Sequence, residues 1–274
     1  MNRRRFQKQL GQSVLSSALG AIPAVTAQTA LGQAMKMLPL PGQVFQVDEN
    51  EVFLISPGNP KKGSIPWVWY APTLKPLPGP EERWMIQKFL DVGVAIAGID
   101  VGESYGSPKG RRGFTAFYDH MTKTRGFSVK PAMLGRSRGG LQVYNWAVEH
   151  PRQVSCIAGI YPVCDVFSWP GLNKAAPAYG MTPDELKNYL ATNNPVSRLE
   201  SLVEAKVPIF HIHGDVDTVV PLEANSGAVA NNYKKLGGIM SLEVPKGQGH
   251  NMWRGFFESQ NLVDFILKHV RSET

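Results

Sequence analysis

The chain has 274 residues, of which 43% are hydrophobic, 19% charged and 9% aromatic, a balance that excludes a disordered chain, a collagen and a multispan membrane protein. Its net charge of +7 is unevenly spread. Arg3, Arg4, Arg5 and Lys8 supply four of those charges, and residues 1–27 contain no acid, so the basic balance makes no case for a nucleic-acid partner.

Met1 to Lys8 form a basic opening, Val14 to Val25 a short apolar run, and Val25 and Ala27 a pair of small residues before a candidate cleavage point. That is the layout of a cleavable signal peptide over 1–27, followed by a linker over 28–39. Arg3-Arg4-Arg5-Phe6-Gln7-Lys8 resembles the twin-arginine pattern, with Gln7 where an apolar residue is usual. The competing reading is a basic arm. The apolar run is shorter than the ~20 residues of a transmembrane span, so the sequence predicts an exported protein, periplasmic or secreted, with no stable membrane insertion once the signal is removed.

From residue 40 onward, short apolar runs alternate with longer amphipathic stretches. The runs at 44–47 and 52–55 predict an opening hairpin, followed by strands at 65–70, 94–101, 131–134, 154–161, 208–213 and 241–244. Helical periodicity fits 80–90, 112–124, 139–149, 222–236 and 256–270. This βαβα rhythm predicts a mostly parallel central sheet with helices on both faces, in a single domain over 40–274. About 164–205 interrupts the rhythm with a Pro-, Gly- and Asn-rich stretch. It holds one short helix at 182–190, opened by Thr182 with Glu185 three residues on, and reads as a lid-like insertion. Cys156 and Cys164 would lie over about 20 Å apart along a continuous strand, which predicts two buried thiols. No spacing suggests a metal site, and no cofactor is required.

Two stretches match G-x-S-x-G, the pattern that sets a serine on a sharp turn between strand and helix. At Gly135-Arg136-Ser137-Arg138-Gly139 a buried strand precedes, and the apolar face of Leu141, Val143, Tyr144, Ala147 and Val148 follows at once. At Gly102-Glu103-Ser104-Tyr105-Gly106 a strand precedes, but Ser107-Pro108-Lys109-Gly110 follows and no helix is expected before about residue 111. Ser104 therefore reads as a loop residue and Ser137 as the nucleophile. A serine needs a base, and the base needs a carboxylate to fix its tautomer. His211-Ile-His213-Gly214-Asp215-Val216-Asp217 leaves one strand and Gly247-Gln248-Gly249-His250 leaves the last, so serine, acid and histidine each follow a strand, in that order.

Over essentially the whole of residues 40–272 this arrangement resembles the α/β-hydrolase superfamily. The elbow matches at Ser137, the acid loop H-G-x-x-D-x-x-V-P at His213, Gly214, Asp217, Val220 and Pro221, and the G-x-G-H segment at Gly247, Gly249 and His250. The resemblance implies an α/β-hydrolase fold with a triad of Ser137, Asp217 and His250. Asp215 falls at a variable position and is the lesser candidate, while His211 and His213 read as structural. Of the oxyanion donors, one is expected at the Arg138 N–H at a helix N-terminus. The other is expected on the loop after the third strand, where Ala71 is favoured over Tyr70 and Thr73 because Pro72 has no N–H.

Arg136 and Arg138 flank the serine. Either they pair with acids, or one meets an anionic substrate. The Ser-Arg pair is similar to the elbow of glucuronoyl esterases, with Gly140 in place of that motif's lysine. Trp169, in the insertion, and Trp253, close to His250, are candidates to stack on a sugar or aromatic group, whereas Trp67, Trp69, Trp84 and Trp146 read as core. Together these features predict an exported serine hydrolase acting on a small-molecule ester, with esterified carbohydrates or uronates as the candidate class and the oligomeric state open. One alternative is a peptidase resembling the catalytic domain of prolyl oligopeptidases, although their propeller domain does not fit this length. The other is a non-catalytic binding relative.

Overall fold

A computed structural model describes residues 36–58 and 64–270. The expected signal peptide, and most of the linker after it, lie outside the described residues. The chain divides into residues 1–35 and a unit spanning 36–274, and the description that follows concerns the second.

The opening hairpin forms as β1 (Gln43–Val47) and β2 (Asn50–Ile55), followed by β3 (Trp67–Ala71), α1 (Arg83–Asp91), β4 (Ala95–Ile99) and α2 (Pro108–Asp119). Next come β5 (Ala132–Arg136), α3 (Gly139–Ala147) and β6 (Cys156–Ile160). The insertion carries α4 (Leu172–Tyr179), α5 (Pro183–Asn193) and α6 (Glu200–Glu204), and the chain returns through β7 (Ile209–Ile212), α7 (Ala228–Lys235), β8 (Met240–Glu243), α8 (Arg254–Phe257) and α9 (Gln260–Val270). The eight strands order as β1-β2-β4-β3-β5-β6-β7-β8. β2 runs antiparallel to β1 and β4, and every other pairing is parallel.

The parallel strands β3 to β6 are buried along their whole length, which explains why they read as continuous apolar runs rather than alternating ones. Alternation survives in the direction each side chain takes. Trp67, Trp69 and Ala71 enter the core under α2 and α3, while Val68 and Tyr70 enter the core under α1 and α9. Trp69 is the hub of the first core, with ring centroids 5.5 Å from Trp67 and 4.8 Å from both Phe114 and Trp146. Trp84, read as core, is only partly buried.

Several boundaries differ from expectation for local reasons. α2 begins at Pro108, earlier than expected, because Ser107 caps it by accepting the Gly110 N–H and proline suits the first helical position. The expected strand 154–161 ends at Ile160, since Tyr161 takes φ +36° before Pro162. The C-terminal helix divides in two, and the Ser259 hydroxyl accepts the Leu262 N–H as α9 opens. The insertion contains three helices where one was expected. Within it, the Thr182–Glu185 capping box opens α5 as the sequence predicts. Cys156 and Cys164 are buried free thiols.

Candidate active site

Ser137 occupies the step from β5 into α3. Its φ of +49° is a conformation a non-glycine residue rarely takes, and three backbone bonds hold it there. The Ser137 N–H donates to Ile160 O at 3.0 Å, and the Ser137 carbonyl accepts from Gly140 N–H at 3.0 Å and Val163 N–H at 2.8 Å. The glycines of the motif make the turn sterically possible. A Cβ on Gly139 would overlap the Ala71 carbonyl, one on Gly140 would overlap Val163 O, and one on Gly135 would stand 3.1 Å from Gly140 Cα.

The two loops carrying the acid and the histidine are locked together in the same way. A Cβ on Gly214 would strike Gln248 O, and Val216 N–H donates to that same carbonyl at 3.1 Å. Gly247, at φ +72°, turns the chain just before. As a result His250 Nε2 lies 2.8 Å from Ser137 Oγ and His250 Nδ1 lies 2.7 Å from Asp217 Oδ2. Asp217 Oδ1 accepts from Val219 N–H at 3.0 Å and Val220 N–H at 2.8 Å, and His213 Nε2 stands 3.4 Å from Oδ2. Burial pushes the Asp217 carboxyl upward in pKa. Hydrogen bonds from His213, His250 and the Val220 N–H, with the His250 charge, outweigh that push and hold it well below the usual carboxylate range. The arrangement can therefore place Nδ1–H on the aspartate and leave Nε2 to take a proton from Ser137.

The structure brings Ser137, His250 and Asp217 together and sets Asp215 apart. Asp215 is exposed and accepts the Gly247 N–H at 2.6 Å. His211 and His213 are fully buried and share Ser226 Oγ through their Nδ1 atoms, at 2.9 and 2.8 Å, in keeping with their structural reading. Ser104 is met by Gln142 Nε2 at 3.4 Å rather than by an imidazole, and lines a separate cavity beside Asp48, Lys109 and Arg112.

A cavity of about 490 Å³ opens over Ser137 and His250, walled by Pro72, Leu74, Leu77, Arg136, Tyr161 and Met252, among others. Arg138 lines it, and its N–H stands where α3 opens. The Ala71 expectation needs correction. Ala71 is fully buried, sits opposite Gly135 in the sheet and does not line the cavity, whereas Pro72 and Leu74 do. The strand runs one residue further than the sequence indicates and keeps Ala71 inside it. Trp253 also needs correction. It is 40% exposed, packs edge-on against Phe256, and faces a different hollow beside Pro245 and Gly255. The loop after His250 turns Met252, not the indole, toward the serine. Trp169 is not among the cavity-lining residues and touches the site indirectly, its ring under the Arg138 guanidinium at 5.2 Å.

Both arginines are paired. Arg138 meets Glu103. Arg136 meets Glu82 at 2.5 Å in a buried pair that Tyr70 Oη and the Gly79 N–H complete, at 2.7 and 2.9 Å from the Glu82 oxygens. Burial opposes the Arg136 charge, but Tyr70 and Glu82 outweigh it and hold the guanidinium firmly protonated. The sequence reading missed Glu82, Tyr161, Met252 and Leu74. Tyr161 alone carried a usable signal, since it follows the strand that neighbours the nucleophile strand. Among the described residues no group of three or more His, Cys, Asp or Glu side chains is placed to hold a metal ion.

The model of the prolyl oligopeptidase family matches residues 113–273, which include Ser137, Asp217 and His250. No curated protein matches the sequence. Similar solved structures include Est1E from Butyrivibrio proteoclasticus, at 18% identity and a TM-score of 0.59 over 84% of this chain and 98% of that one. An S-formylglutathione hydrolase from Agrobacterium tumefaciens is similar at 14% identity and a TM-score of 0.67, over 85% and 95%. A puromycin-hydrolyzing peptidase from Mycobacterium tuberculosis is similar at 14% identity and a TM-score of 0.67 over 85% of this chain, which spans only 39% of that peptidase's length. With an α/β-hydrolase fold and a family model matched over more than half its length, the chain belongs to the prolyl oligopeptidase family of serine hydrolases.

Proposed function

We propose that the protein cleaves a small carboxylic ester through an acyl-enzyme. Ser137 attacks the ester carbonyl as His250 Nε2 takes its proton, and Asp217 holds the imidazole and stabilises its charged form. The Arg138 N–H faces the negative charge that develops on the carbonyl oxygen. His250 then protonates the departing alkoxide, and water, activated by the same imidazole, releases the acid and restores Ser137. The observation carrying this reading is the continuous contact from Ser137 Oγ to His250 to Asp217, at 2.8 and 2.7 Å.

The cavity, of about 490 Å³ and lined by Pro72, Leu74, Pro76 and Leu77 beside charged Lys75, Glu81, Arg136 and Arg138, favours a small ester. A carbohydrate ester keeps the support of the signal-like N-terminus, which belongs to the same proposal as an export signal. It loses the support of Trp253, which faces elsewhere. A peptidase is the second reading, favoured by the family match and by the peptidase among the similar structures.

The test is hydrolysis of p-nitrophenyl acetate and of peptide p-nitroanilides by the unaltered protein, Ser137→Ala and Ser104→Ala, each also treated with a fluorophosphonate label. Labelling and ester turnover lost in Ser137→Ala alone is the expected result. Faster turnover of anilides than of esters would replace the esterase with the peptidase, and an unlabelled, inactive protein would overturn both.

A further inference from the structure

Tyr161 lies at the site and has no part in the chemistry just described. It follows β6 directly, and Ile160 stands opposite Arg136 in the sheet, so the phenol is delivered beside the nucleophile turn. Its φ of +36° is unusual for so large a side chain, and backbone strain of this kind clusters at functional sites. The surrounding bonds maintain it. Tyr161 N–H donates to Ile212 O at 2.8 Å, while the carbonyl of Ile160 and the N–H of Val163 are both bonded to Ser137. The ring is clamped by His250, with centroids 4.4 Å apart, and by Phe256 at 5.0 Å.

The side chain is 1% exposed, and its hydroxyl, which neighbours the Arg136 guanidinium, makes no hydrogen bond of normal geometry among the described residues. Buried tyrosines ordinarily bond their hydroxyls, as Tyr70 does to Glu82, Tyr118 to Val129 O, Tyr144 to His211, Tyr179 to Tyr105 O and Tyr233 to Val207 O. Beside Tyr161 in the same cavity wall, Arg136 Nη2 faces the Met252 thioether at 2.9 Å, a weak acceptor. Tyr161 and Arg136, both residues of the cavity wall that holds Ser137 and His250, thus carry under-used donors.

The charge around them decides what they can receive. Glu82 already neutralises Arg136, and Arg138, the next cation on the wall, is paired with Glu103. The cavity lining also includes one further residue of each sign, Lys75 and Glu81. A carboxylate placed between Tyr161 and Arg136 would add a second negative charge beside buried Glu82, whereas a neutral oxygen would satisfy both donors at no such cost.

We propose that Tyr161 is a substrate-binding residue, its hydroxyl donating to a neutral carbonyl, ether or hydroxyl oxygen carried by the substrate close to the scissile bond, with Arg136 Nη2 as the second donor. This rests on the serine-hydrolase reading above, and it makes the substrate an oxygenated, uncharged ester rather than a plain alkyl or an anionic one.

The test compares the unaltered protein with Tyr161→Phe, which keeps the ring against His250. The substrates are isosteric pairs: p-nitrophenyl methoxyacetate against butyrate for the acyl side, and 2-methoxyethyl acetate against butyl acetate for the alcohol side, followed by pH-stat. p-Nitrophenyl hemisuccinate is the anionic control. In at least one pair, Tyr161→Phe should lose about five- to tenfold in kcat/KM on the oxygenated member, the effect of one neutral hydrogen bond, and change less than twofold on its alkyl partner and on hemisuccinate. An equal loss on both members of each pair would make Tyr161 a packing residue for His250, and no loss on any would remove it from the site. A loss confined to hemisuccinate would overturn the neutral-oxygen assignment. If the unaltered protein cleaves none of these esters and takes no fluorophosphonate label, the hydrolase reading fails first and this one with it.

Discussion

Glu82 Oε1 and Arg136 Nη1 meet at 2.5 Å across 54 positions of chain, with 0% and 6% of their side chains exposed. Removing one partner of such a pair strands a charge out of water, at a cost of about 3–5 kcal/mol. Glu82→Leu should lose that much stability in urea unfolding. The double variant Glu82→Leu/Arg136→Met should regain a large part of it, because both charges leave together. A double variant no more stable than Glu82→Leu would show that the pair matters through Tyr70 and Gly79 instead.

Asp217 and Asp215 lie two residues apart and should behave very differently. Asp217→Asn, which keeps the shape but permits the wrong imidazole tautomer, should lower kcat by about 10³- to 10⁴-fold. Asp215→Asn still offers an oxygen to the Gly247 N–H and should stay within about threefold. Steady-state kinetics on p-nitrophenyl acetate separates the two, and equal losses would mean that the acid had been misassigned.

Burial, with the neighbouring His213, drives the His211 pKa down to about 3. In the unfolded chain it returns to about 6.5. Between those values the unfolded state binds a proton that the folded state does not, so stability falls as pH falls, by about 1.4 kcal/mol per pH unit for this one group. Urea midpoints measured from pH 7 to pH 4 should show that slope, reduced by one proton's worth in His211→Gln. An unchanged slope in the variant would mean that His211 is protonated in the fold.

Gly139→Ala places a methyl group against the Ala71 carbonyl. Neither backbone can yield without moving the end of β3 or the start of α3, so overpacking should cost about 2–3 kcal/mol. Thermal unfolding of the variant, beside Gly126→Ala as a glycine in open space at positive φ, should show the larger loss at Gly139.

That Ser137, Asp217 and His250 come together was legible because each combines a strand end with a local glycine pattern, information that lies within ten residues of chain. The parallel sheet was legible for the same reason, through runs such as Ala95–Ile99. What escaped notice depends on distant partners or on where a loop aims a side chain. Nothing near Arg136 in sequence announces Glu82, and nothing after His250 says that Met252 rather than Trp253 turns inward. Ala71 was misjudged by a single residue of strand length, which is enough to move a backbone group from a cavity wall into the sheet. The insertion's two further helices escaped because α4 contains Pro177 and α6 spans only five residues, Glu200–Glu204.

The side chain of Arg138 is anchored at two points, by Glu103 and by the face of Trp169, while its peptide group opens α3. Part of this side chain's conformational freedom is thereby already surrendered in the fold. In the mechanism proposed above, an amide at the opening of a helix would keep its orientation as charge appears, without a reorganisation step at each turnover.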